Sequence, residues 1–174
     1  MALARGTTIL VDTNVIIAAH RCGVWNPLAK AYQLDTVEKC VEETQTGFQN
    51  RRPEETIDNQ CLQPSLRFIA VVNDFARAEL IVRCERAVNI DDGERDLLAN
   101  ALTRTDAFLL ASPDRAAMHT AIQLGWGDRL VSLEEMVIPL SVKLSNPLKY
   151  NFTSAWMSRA KTEILMSLLS DPQH

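Results

Sequence analysis

Apolar and polar positions fall into two alternating patterns along this chain. Thr7-Thr8-Ile9-Leu10-Val11 is β-branched and apolar at consecutive positions, as a strand buried on both faces is. It stops at Asp12-Thr13-Asn14, and Val15-Ile16-Ile17-Ala18-Ala19 then opens a helix. Residues 36 to about 46 carry Val37, Cys40, Val41 and Thr44 at helical spacing, with Gly47 as a stop. Phe68-Ile69-Ala70-Val71-Val72 is a predicted strand, and residues 74–86 are a predicted helix. Asp91-Asp92-Gly93-Glu94 opens another helix through Leu97, Leu98, Ala101 and Leu102. Residues 106–112 form the next predicted strand, 113–124 a helix closed by Gly125, and Leu130-Val131-Ser132 a last short strand.

Alternating helices and buried strands predict an α/β fold, a three-layer α/β/α sandwich around a mostly parallel central sheet. Two segments break the pattern. From Gly47 to Pro64 the chain is polar and without period, so an exposed loop of about 18 residues is expected, longer than most connections. Beyond Pro139 the pattern breaks again at Pro147. Residues 151–170 then place Trp156, Ala160, Ile164, Leu165, Leu168 and Leu169 on one helical face. We therefore divide the chain into a domain at 1–138 and a C-terminal extension at 139–174. The amphipathic helix is open to two uses, packing on its own domain or a homo-oligomer contact.

Composition narrows the class. The 174 residues hold 18 Lys+Arg against 22 Asp+Glu, a net charge of −4, which argues against a general polycation that coats nucleic acid. A metal-binding carboxylate cluster would itself lower that count. Cys22, Cys40, Cys61 and Cys84 lie 18, 21 and 23 residues apart with no C-x-x-C pair, so a zinc ribbon is not expected and reduced thiols are. No uncharged apolar run approaches a membrane span, and the N-terminal apolar stretch is broken by Asp12 and Asn14. The expectation is a cytoplasmic protein.

Ligands of open α/β sheets bind beyond the carboxyl ends of the strands, where Asp12 and Asp114 fall. Either acid alone has a structural explanation, Asp12 as the N-cap of the helix after it and Asp114 in the first turn of its helix against the dipole. Asp91-x-x-Glu94 resembles a capping box. Glu94 and Asp96, two apart on a helix, point to different sides, so one of them belongs to a common site and spacing does not choose. Glu42 and Glu43 leave the same choice. Clustered carboxylates repel and are tolerated when a cation neutralises them, and hard oxygen donors suit Mg²⁺ or Mn²⁺.

Ile9-Leu10-Val11-Asp12-Thr13-Asn14-Val15-Ile16 resembles the opening of a PIN-domain nuclease. Three further segments resemble that family in order: Val37-Glu38-Lys39-Cys40-Val41-Glu42-Glu43, with Glu43 the better match; Gly93-Glu94-Arg95-Asp96-Leu97-Leu98-Ala99; and Leu109-Leu110-Ala111-Ser112-Pro113-Asp114-Arg115. The resemblance spans about residues 7 to 132. It implies a PIN-like fold and a metal-dependent endoribonuclease, with Asp12, Glu43, Asp114 and one of Glu94 or Asp96 holding Mg²⁺ or Mn²⁺, and catalytic roles for Asp12, Glu43, Glu94 and Asp114. Asn14 and Ser112 are expected to support the Asp12 and Asp114 carboxylates from behind, with ordinary turn capping as an equal alternative. Arg51, Arg52 and Arg115 are the expected contacts to an RNA substrate. Since such domains include toxins of toxin–antitoxin pairs and RNA-processing enzymes, an antitoxin or other protein partner is a further expectation. The rival functions are a non-catalytic PIN-like module that binds RNA or protein, and a phosphoryl-transfer enzyme using Asp12. The latter, if of haloacid-dehalogenase type, wants a second Asp where Asn14 stands.

Overall fold

A computed structural model describes residues 3–46 and 52–170. Four strands, β1 (Thr8–Val11), β2 (Gln33–Val37), β3 (Phe68–Ala70) and β4 (Leu109–Ala111), form one sheet in the order β3-β2-β1-β4. All three pairings are parallel, with Val11 opposite Ala111 and Leu10 opposite Asp35. Leu130 adds one parallel bridge to Leu110 beyond β4, where the sequence predicts a last strand.

Helices cover both faces. Along β1 the side chains alternate: Ile9 and Val11 enter one core and Leu10 the other. The first core is closed by α1 (Thr13–Arg21), α2 (Trp25–Ala31) and α8 (Leu133–Val137), through Ile16, Leu28 and Met136 among others. The second is closed by α5 (Asp74–Arg83), α6 (Asp92–Leu102), α7 (Arg115–Gln123) and α9 (Ser154–Ser170), through Leu80, Leu97, Met118 and Ile164. The result is the three-layer α/β/α sandwich that the sequence predicts, with β1 and β2 buried between its layers.

Three stretches depart from the sequence expectation. Thr36 and Val37 belong to β2, and the helix after it, α3 (Glu38–Thr44), is shorter than predicted. Polar residues conceal that strand: Asp35 is fully buried against Arg67 and Arg104, and Thr36 Oγ1 donates to the Val11 carbonyl at 2.7 Å. α2 contains Pro27 and is not among the elements the sequence pattern predicts. Pro27 stands in the first turn, where its missing N–H removes no helical bond. Between 52 and 64 the chain is not a plain exposed loop: a 3₁₀ turn at Pro53–Glu55 and the short α4 (Asn59–Leu62) accompany buried Ile57 and Leu62.

α9 buries Met157, Ala160 and Ile164 beside α7, with Trp156 and Leu168 packed against the same core. Leu165 and Leu169, expected on that face, are 50% and 85% exposed. The four cysteines are free, Cys61 alone being exposed. No helix of the described residues is long and apolar enough to cross a membrane.

Candidate functional site

Because all the pairings are parallel, every strand delivers its carboxyl end to the same edge of the sheet. Asp12 follows β1 directly and caps α1, its Oδ1 accepting from Val15 N–H at 2.7 Å. Its other oxygen, Oδ2, is buried and accepts no hydrogen bond of good geometry. Burial is the main cause that pushes this carboxyl up to about 7. The charges of Asp114 and Glu43 act in the same direction, while Val15 N–H and the Ser112 hydroxyl favour the ionised form. Ser112 stands at the end of β4, and its Oγ also accepts from Asp114 N–H at 3.3 Å.

Asp114 caps α7, with Oδ1 taking the N–H groups of Ala116 and Ala117 at 2.7 and 2.9 Å. Glu43, near the end of α3, is held from two sides: Thr13 Oγ1 donates to Oε2 at 2.6 Å and Gly93 N–H to Oε1 at 3.0 Å. A Cβ at position 93 would collide with the Glu43 carboxylate, so glycine there is what lets Glu43 reach the Gly93 N–H. Glu42, by contrast, faces solvent and pairs with Lys39 at 3.1 Å.

α6 separates its two acids. The Asp91 side chain makes no capping bond, so the capping box suggested by the sequence is absent and Glu94 is not engaged in it. Glu94 is buried, and its carboxyl is pushed up to about 9, first by desolvation and then by the charges of Asp12, Asp114, Asp91 and Glu43. Asp96 is taken up elsewhere: Arg77 of α5 grips both its oxygens at 2.7 Å. The structure thus brings Asp12, Glu43, Glu94 and Asp114 into mutual electrostatic reach, and it turns Glu42 and Asp96 to other partners.

A polar cleft of about 670 Å³ opens beside these acids, lined by Thr13, Asn14, Glu43 and Glu94 among others. Asn14 is exposed at its wall, and the oxygen of Asp12 nearest the chain is held by Val15 rather than by Asn14. Among the described residues, no group of three or more His, Cys, Asp or Glu side chains is arranged to hold a metal ion as it stands. Of the expected RNA contacts, Arg115 pairs with Glu163 of α9 at 2.7 Å, and Arg52 is exposed, its N–H donating to Glu55 at 3.3 Å. Arg51 lies outside the described residues. Sequence reasoning missed Thr13, whose only signal was its place between Asp12 and Asn14, and Gly93 as the donor to Glu43. The fold is compatible with PIN-like folds, and in comparison with known proteins the chain matches no family model and no curated sequence.

Proposed function

We propose that this chain is a PIN-like ribonuclease dependent on Mg²⁺ or Mn²⁺, which hydrolyses RNA phosphodiester bonds at the Asp12 edge of the sheet. The observation that carries the reading is Asp12 Oδ2, a fully buried carboxylate oxygen with no well-formed hydrogen bond, beside Asp114 and Glu43, whose charges raise its proton affinity. A buried polar atom without a partner costs about 1–3 kcal/mol, and more when charged, so its retention points to a ligand. The donor set fits a hard divalent cation: all oxygen, acidic, and beside an open cleft.

Asp12, Glu43, Glu94 and Asp114 would hold that cation. When bound, it supplies a water made acidic near neutral pH and neutralises charge that develops on the phosphate. The protein's own part is to fix the donors. Val15 N–H orients Asp12, while Thr13 and Gly93 lock Glu43. The first turn of α7 binds one oxygen of Asp114 and leaves the other. Glu94, whose proton affinity burial and the neighbouring carboxylates raise, would have to release its proton to serve as a donor.

Asp12→Asn tests the reading. The amide oxygen still accepts from Val15 N–H, so the melting temperature in EDTA should stay level or rise slightly. Mn²⁺-dependent RNA cleavage and the rise in melting temperature with Mn²⁺ should both disappear. Undiminished cleavage by that variant overturns the proposal. RNA binding without cleavage by the wild-type protein would favour the non-catalytic module.

A further inference from the structure

Two smaller cavities lie in series with the acidic cleft, each sharing lining residues with the one before, and we treat the row as one path. Asn89 lines both the acidic cleft and a neighbouring cavity of about 370 Å³, which is lined by Arg86, Arg115, His119 and Glu163. Arg115 and Glu163 also line a third cavity of about 150 Å³, where Tyr150, Trp156 and Arg159 stand. The balance of the lining changes along the path, from carboxylates that outnumber Lys39 and Arg95, to an excess of arginine, to aromatic rings.

The middle cavity carries excess positive charge in a chain of net −4. Glu163 is shared by two arginines, Arg115 and Arg159, each at 2.7 Å, so one charge of that trio is left over. Arg86 pairs with no carboxylate among the described residues; it donates from Nη1 to His119 Nε2 at 2.7 Å. A guanidinium cannot accept, so Nε2 is the acceptor and the ring is neutral with its proton on Nδ1. Burial and the Arg86 charge both hold His119 below its usual proton affinity, so the ring adds no charge but steers the arginine. At the far end, Tyr150 is 59% exposed and Trp156 is half-buried beside it.

We infer that this path is the seat of single-stranded RNA next to the cutting site, with a flanking phosphate in the Arg86–Arg115 cavity and a neighbouring base against Tyr150 and Trp156. The inference rests on the ribonuclease reading and gives it a substrate form. A backbone phosphate cannot lie among carboxylates without cations free to meet it: Lys39 and Arg95 line the cleft but are paired with Glu42 and Asp92, whereas Arg86, one cavity away, has no carboxylate partner among the described residues. Aromatic faces accept any base by stacking, so the arrangement suits an unpaired strand rather than a duplex, whose bases are already stacked. The far wall belongs to α9 and to the turn before it, which gives the C-terminal segment a part in binding.

The test uses the full chain carrying Asp12→Asn, a labelled short single-stranded RNA, and anisotropy titrations across a salt series. Arg86→Ala should weaken binding about tenfold and reduce the salt slope by roughly 0.7, as expected for one phosphate contact to a single strand. Tyr150→Ala should weaken binding about fivefold with the salt slope unchanged, because stacking releases no counterions. Lys143→Ala, which removes one charge from the chain outside the path, should leave both unchanged. RNA should also quench tryptophan emission, and Trp156→Phe should abolish that quenching, since Trp25 is buried on His20 and Trp126 packs on Phe108. An unchanged slope for Arg86→Ala, or an equal loss for Lys143→Ala, overturns the phosphate seat while the ribonuclease reading stands. No cleavage of RNA by the wild-type protein with Mn²⁺ removes both.

Discussion

A methyl group at position 93 would sit 2.8 Å from both Glu43 Cδ and Glu43 Oε1, so the simplest core-like substitution in α6 acts on a carboxylate of another helix. Gly93→Ala improves helix propensity by up to about 1 kcal/mol, and its backbone N–H survives. The cost falls on Glu43, which must swing away and lose its bonds to Gly93 and Thr13. We expect the Gly93→Ala protein to fold with a melting temperature within a few degrees of wild type, and its affinity for Mn²⁺, measured calorimetrically, to fall at least tenfold. Wild-type affinity would mean that Glu43 is no donor. The neighbouring position behaves differently. Glu94→Gln mimics the protonated acid already present near pH 7, so it should change stability in EDTA little while removing the metal-induced rise.

Asp96 is best understood as a tie between two helices, since Arg77 on α5 holds both its oxygens against α6. Asp96→Asn should therefore cost about 1–3 kcal/mol in chemical denaturation and spare metal binding, the reverse of Glu94→Gln. Helix spacing says that these acids diverge; only the Arg77 contact, distant in sequence, says which one leaves the site. The same contrast explains what else was legible. β1 and β4 could be read because they are apolar at consecutive positions and end in acids. β2 could not, because Asp35 is buried on two arginines that follow it by 32 and 69 residues, and no local pattern encodes such partners. Asp91-x-x-Glu94 carried the letters of a capping box, yet the local bond gave way to the gathering of charge at the sheet edge. The N-cap alternative at Asp12 was legible, since it depends on the next three residues alone; Asp114, expected inside the first turn, instead caps α7, which starts at Arg115 rather than Pro113.

Across the molecule, proton affinity and stability are linked at the site. Asp12 and Glu94 bind protons more tightly folded, near 7 and 9, than unfolded, near 3.8 and 4.5. Stability from these groups is therefore full below about pH 4 and is lost as pH climbs through 7 and 9. His20 runs the other way: burial lowers it from 6.5 to about 4, so its contribution is present above 6.5 and lost on acidification. Between pH 6.5 and 9 the carboxyls stand apart from His20. In EDTA the melting temperature should fall over that range, and on the proposed reading, in which protons and cation compete for the same oxygens, the rise produced by Mn²⁺ should grow. A flat profile in both would contradict the burial of these acids. The order of the strands carries one more consequence. β1 lies at the centre of the sheet, and its neighbour on one side, β4, begins some 98 residues after β1 ends. Asp114 arrives just behind it, and the core beneath α7 closes only with Met157, Ala160 and Ile164. On a ribosome, Asp12 and Glu43 emerge long before their companions, and loop closure over such separations is slow. A nascent chain therefore lacks the gathered acids until β4 and α7 have been made, and any activity of that edge of the sheet, the proposed RNA cleavage included, can begin only after them.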